Sequence, residues 1–193
     1  MIRPSMSDFE FLFALYGLML GLSIAEVLSG LARSIEERLQ SRPTLRIGWL
    51  CPLLAVFVLL DLLSFWSAAW TVRPVVRVSG ESLMLVTAFA GAYYLAARLV
   101  FPRDLSQLAD LDEHFFRVRR IVVGILLALL VVQMTYYASV PAIRPRLVAP
   151  ASLGMTLLLA ALLVAAMIVR SRRWATIVLA ALVLRYVAAY LIF

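Results

Sequence analysis

A chain of 193 residues with 64% hydrophobic content, a mean hydropathy of +0.99 and only 15% charged residues has too little polar surface to coat a soluble globule, which places it in a lipid bilayer. Its net charge of +7 rests on eighteen arginines and no lysine, gathered between the apolar runs where they set topology beside anionic headgroups, and this argues against nucleic acid as a partner. The single Cys51 excludes a disulfide within the chain; with the single His114 it also excludes a Cys/His metal cluster or bis-histidine haem site, so no metal or other cofactor is expected.

The first helix is expected to begin near Asp8, because Ser7 and Glu10 have the spacing of a capping box. Acids Asp8 and Glu10 stand at the start of the span, 9–31, whose apolar run is too long for a secretory signal, so it reads as an uncleaved span. Gly17, Gly21, Ala25 and Ser29 recur in it at a strict spacing of four, a small-residue face on which a second helix is expected to pack closely. Glu26 lies about 100° around from Ala25 and borders that face. A polar turn or two through Glu36, Glu37 and Arg38 is expected to end at Arg42-Pro43.

The second span, 47–70, has Trp49 at one end and Trp66 and Trp70 at the other, the headgroup positions indole prefers, and it carries Asp61 well inside. After a loop with Pro74 and Gly80, the third span, 82–101, holds Ala88, Ala92 and Ala96 on one face and Arg98 near its end. Leu105, Leu108, Leu111 and Phe115 then recur at three or four among acids, which predicts a short amphipathic cytoplasmic helix. Spans 121–140, with Gln133, 151–169, and 174–193, with Arg185, complete the chain. The fold class is therefore an all-α integral membrane protein, a bundle of about six transmembrane helices forming one membrane domain over 1–193. Faint likenesses between its halves, such as Arg42-Pro43 and Arg144-Pro145, do not amount to an inverted repeat.

Twelve arginines fall on the side of the 1-2, 3-4 and 5-6 connections and five on the other. By the positive-inside rule both termini lie outside the cytoplasm. Compactness and exclusive arginine usage point to a bacterial inner membrane, and arginine without lysine also fits a GC-rich genome.

Glu26, Asp61, Arg98 and Arg185 are ionisable groups inside spans, and an unpaired charge at mid-bilayer costs about 2.5 to 3.5 kcal/mol, so each needs a partner or a wet cavity. Counted from the cytoplasmic ends, Glu26 and Arg98 sit roughly 5 to 8 Å deep, and Asp61 and Arg185 roughly 16 to 21 Å deep, with Gln133 at a similar level. Two layers are expected: a Glu26–Arg98 pair, and a central layer of Asp61, Gln133 and Arg185. Either these are ion pairs that fix which helices touch, or the central layer lines a path in which Asp61 exchanges a proton or cation beside Arg185, or in which the midplane arginine binds an anion.

Other motifs are weaker. His114 among Asp112, Glu113, Arg117 and Arg119 reads as part of a solvated helix face. Leu28-Ser29-Gly30 is explained by helix packing, and with no serine–histidine arrangement, metal cluster or phosphate loop the chain is not expected to be an enzyme. The functional expectation is a small ion- or solute-conducting protein, oligomeric because six short helices enclose little space. The alternative is a non-catalytic scaffold or accessory subunit that docks membrane-protein partners through the Gly17–Ser29 face.

Overall fold

A computed structural model of the chain describes residues 8–40, 46–74, 77–104 and 110–192. Four expected features lie outside these residues: Ser7 of the capping box, Arg3, the Arg42-Pro43 helix stop, and Leu105 with Leu108 of the amphipathic segment. Among the described residues seven helices follow in order: α1 (Asp8–Gln40), α2 (Leu50–Val72), α3 (Gly80–Leu99), α4 (Leu111–Ser139), α5 (Arg144–Leu147), α6 (Pro150–Ile168) and α7 (Arg172–Ile192). All but α5 are long and apolar enough to cross a membrane, so this is a multi-pass α-helical membrane protein.

α2 is mostly apolar and lies inside the bundle, touching α1, α3, α4 and α7 and burying Leu50, Leu54, Phe57, Val58 and Leu62. Beside it α4 joins α3 to α6, while α1 packs chiefly on α3. Trp49 and Trp70, near opposite ends of α2, are exposed as interfacial indoles should be.

α1 does not pack within the chain on the face expected from its small residues. Its buried stripe is Phe9, Leu12, Tyr16, Leu20, Ser23, Val27, Gly30 and Ser34, stepping by three and four, and Gly21, Ala25 and Ser29 are exposed. The reason is geometric. A strict spacing of four advances about 40° around the helix at each step, whereas alternating threes and fours stay on one face. Of the two glycines only Gly17 meets a neighbour: a Cβ there would stand 2.9 Å from the Trp66 ring, while one at Gly21 meets nothing within 4 Å. Ala88, Ala92 and Ala96 of α3 drift in the same way from exposed to half-buried to buried. Ser23 and Ser34 are tolerated inside because their hydroxyls donate to the Met19 and Gly30 carbonyls, each at 2.9 Å.

The close approach of α1 lies instead at Gly30, where a Cβ would stand 2.6 Å from the buried Phe101 side chain. Gly30→Ala is therefore expected to lower the melting temperature in detergent, by overpacking that costs about 1 to 3 kcal/mol, while Gly21→Leu leaves the melting temperature unchanged. Equal melting of the two variants would overturn this assignment of the packing face.

The described part of the polar segment after Phe101 is not a helix of its own. From Leu111 it runs straight into the fourth span as one helix of 29 residues, since no glycine or proline interrupts it before Gly124 and Asp110 caps its start by accepting from the Asp112 amide at 2.9 Å. At 1.5 Å per residue this helix exceeds the roughly 30 Å hydrocarbon core, so a polar end projects from the spanning part. That end organises the arginine-rich side of the bundle.

Candidate functional site

Three groups of polar side chains stand out. The first is at the start of α4, where one helix end satisfies the ends of three others. Asp112 Oδ1 accepts from the Leu50 amide at 3.1 Å, capping α2; His114 Nε2 lies 3.1 Å from the Leu99 carbonyl at the end of α3; and Arg119 Nη1 donates to the Ala166 carbonyl at 3.3 Å near the end of α6. Amides and carbonyls orphaned at helix ends thereby find partners away from water. Arg172 Nη1 donates to Asp110 Oδ2 at 2.7 Å and stands 3.6 Å from Asp112 Oδ2, tying in the start of α7. The Leu111 amide donates to the Arg46 carbonyl at 3.0 Å, and the Cys51 thiol to the Leu111 carbonyl at 3.2 Å. Glu113 and Arg117 are exposed, but His114 is half-buried and Asp112 and Arg119 are buried, so only part of this run is the solvated face expected from the charge pattern. Charge run and capping cluster look alike in sequence, because the partners are main-chain atoms of distant helices.

The second group joins α1 to α3. Arg98 Nη1 donates to Glu26 Oε1 in an ion pair, and the Arg33 guanidinium approaches the same oxygen at 3.7 Å. The matched depths of Glu26 and Arg98 thus correspond to a contact, with Arg33, two turns along α1, as a further cation. Arg98→Leu is expected to be more damaging to detergent-extracted protein than Glu26→Gln. Removing Arg98 leaves Glu26 only the looser approach of Arg33 at 3.7 Å, whereas after the milder change Arg98 can extend toward the surface. A double-mutant cycle with no coupling energy would remove the pair from the account.

The third group lies in the central layer and differs from the expected pair. Asp61 is held by tyrosines: the Tyr93 hydroxyl donates to Oδ2 at 2.7 Å and the Tyr186 hydroxyl to Oδ1. Arg185 makes no salt bridge with it. Its Nη2 donates to the Met155 carbonyl at 3.2 Å, its guanidinium stands 4.6 Å from the Tyr186 ring centre, and its buried Nε has no hydrogen-bond partner among the described residues. A cavity of about 130 Å³ between α2, α3, α4, α6 and α7 is lined by both charges and by Ser64, Gln133 and Thr156. Gln133 donates its amide to the Tyr137 hydroxyl at 3.1 Å. Depth counted along helices brings Asp61, Gln133 and Arg185 to one chamber, but it misses Tyr93 and Tyr186, whose hydroxyls stand well away from their own backbones.

Next to this chamber, and sharing Phe65 and Gln133 with it, is an apolar cleft of about 480 Å³ between α1, α2, α3 and α4. Stacked aromatic rings form much of its wall, with Phe65 and Phe89 centroids 4.3 Å apart. It offers a charged solute little, and the charges all belong to the smaller chamber.

The fold and these three groups define a polytopic membrane protein with a partly enclosed chamber that holds one carboxylate and one guanidinium apart. Comparison with protein-family models, curated proteins and solved structures gives no match to the chain.

Proposed function

We propose that this protein is a small ion- or solute-conducting protein of a bacterial inner membrane, with the Asp61 chamber as its binding point. One observation carries the reading: Asp61 and Arg185 face a common cavity inside the bundle without closing on each other. Two charges kept solely to fix helix contacts gain most by direct pairing, since each is otherwise left uncompensated at about 2.5 to 3.5 kcal/mol in a bilayer. Charges held apart around a cavity are placed to meet something that enters it. The twelve-to-five distribution of arginines supports both termini outside the cytoplasm, with the arginine-rich end against the anionic headgroups of the inner leaflet. A C-terminal reporter found in the cytoplasm would reverse that orientation.

The test is flux. Full-length protein in proteoliposomes is expected to pass at least one of protons, monovalent cations, simple anions or small polar solutes of no net charge. Absence of flux for all four classes, under a potential of either sign, would discard the reading. A scaffold or accessory subunit would then take its place, supported by the exposed Gly21, Ala25 and Ser29, which offer a partner helix or a second copy of the chain a close approach. Under that alternative, Gly21→Leu alters the oligomeric state or partner association while melting stays unchanged.

A further inference from the structure

We propose that the chamber's ligand is a small zwitterion of about glycine's size, whose carboxylate is bound by Arg185 and whose ammonium is bound by Asp61. The inference rests on the conducting reading and names the substrate class of that site. Size sets the first limit. At about 130 Å³ the chamber has room for roughly four waters at their 30 Å³ share of the liquid, and it falls well below the roughly 300 to 1,000 Å³ of clefts that take drug-sized molecules.

Charge sets the second limit. A lone cation at Asp61 leaves Arg185 uncompensated and is itself repelled by the guanidinium, and a lone anion at Arg185 meets the converse problem at Asp61. A ligand bearing both charges satisfies both residues and brings no net charge into the bundle. Hydrogen bonding agrees with this assignment. Each Asp61 oxygen accepts from one tyrosine hydroxyl and keeps lone-pair capacity for ammonium protons, since an ionised carboxylate offers about four acceptor sites. Arg185 lines the chamber and gives one nitrogen, Nη2, to the Met155 carbonyl, and a guanidinium carries five N–H groups, so donors remain for a carboxylate. Ser64, Gln133 and Thr156 add uncharged polar groups to the wall, which suits a polar ligand and not a hydrocarbon.

Carrying a zwitterion moves no net charge, so its flux is expected to be indifferent to membrane potential, unlike that of an ion. The test uses full-length protein in detergent and in proteoliposomes, with glycine, acetate and methylammonium as probes. Glycine is expected to bind saturably by calorimetry, at least about tenfold more tightly than acetate or methylammonium, each of which satisfies one charge alone. Radiolabelled glycine is expected to enter proteoliposomes at the same rate under potentials of either sign. Acetate or methylammonium binding as tightly as glycine overturns the proposal without any variant being made. So does ion flux with no glycine binding, which leaves the conducting reading standing, whereas the absence of any flux and any binding removes both. Arg185→Gln is expected to reduce glycine affinity at least about tenfold while Thr156→Val, which keeps both charges, reduces it less; the reverse order overturns the assignment of Arg185.

Discussion

Gly48→Ala is expected to destabilise the protein more than any single change in the central chamber, with a melting temperature in detergent well below wild type. A Cβ at this position would overlap the carboxylate of Asp112, which is buried against the loop. The carboxylate has no free direction in which to retreat, since it accepts from the Leu50 amide at 3.1 Å and belongs to a helix start fixed by the bond from the Leu111 amide to the Arg46 carbonyl at 3.0 Å. Displacing it uncaps α2 and leaves a buried carboxylate short of a partner. Losing a hydrogen bond to a charged group costs about 1.5 to 3 kcal/mol, before any movement of α4 against α2 is counted. Asp112→Asn, which keeps an acceptor oxygen of the same shape, is expected to be milder. Arg172→Ala is expected to be milder still, because that guanidinium is mostly exposed and surface ion pairs contribute little. Wild-type melting of the Gly48→Ala protein would show that the α2–α4 seam does not close as described.

This seam marks the boundary between what was legible in the sequence and what was not. Six spans can be read from apolar length, because bilayer thickness sets a minimum run of residues and the chain meets it six times. Depth was also legible. Rise per residue puts Glu26 level with Arg98, and the two form an ion pair; it puts Asp61, Gln133 and Arg185 level, and the three line one cavity. Direction around the helix was legible only where bulky residues held a steady face. The stripe of Tyr16, Leu20, Ser23 and Val27 outweighed the more conspicuous glycine spacing, because larger side chains gain more from packing than a glycine gap gains from close approach. Contacts from side chains to backbone were not legible at all. His114, Asp112 and Arg119 find main-chain partners on three other helices, and no residue type marks a helix-end carbonyl or amide as a partner.

The tyrosine clasp on Asp61 has the same origin and changes what mutation should do. Were Asp61 and Arg185 a direct pair, exchanging them as Asp61→Arg with Arg185→Asp would restore opposite charges in contact and recover folding. In the structure Asp61 is clasped by Tyr93 and Tyr186, and Arg185 bonds the Met155 carbonyl, so the two side chains are not in contact and exchanging them does not create a direct pair. An arginine at 61 could be accepted by the two hydroxyls but must fit a much longer side chain where a short carboxylate sat, and an aspartate at 185 faces a carbonyl that cannot donate. The exchanged protein is therefore expected to recover neither folding nor flux. Asp61→Asn gives the sharper result. The amide keeps the shape and can still accept from one tyrosine, so the variant is expected to extract and melt near wild type, but it offers a cationic group no countercharge and leaves Arg185 as the chamber's only charge. Losing one charged interaction of about 1.5 to 3 kcal/mol corresponds to a reduction of roughly tenfold to more than a hundredfold in affinity, and proteoliposome flux of the conducted species is expected to fall to a similar extent. Tyr93→Phe is expected to give a smaller loss, since Tyr186 still holds the carboxylate in place. Wild-type flux in a well-folded Asp61→Asn protein would mean that nothing conducted depends on this carboxylate, and the chamber would revert to a packing defect lined by polar groups.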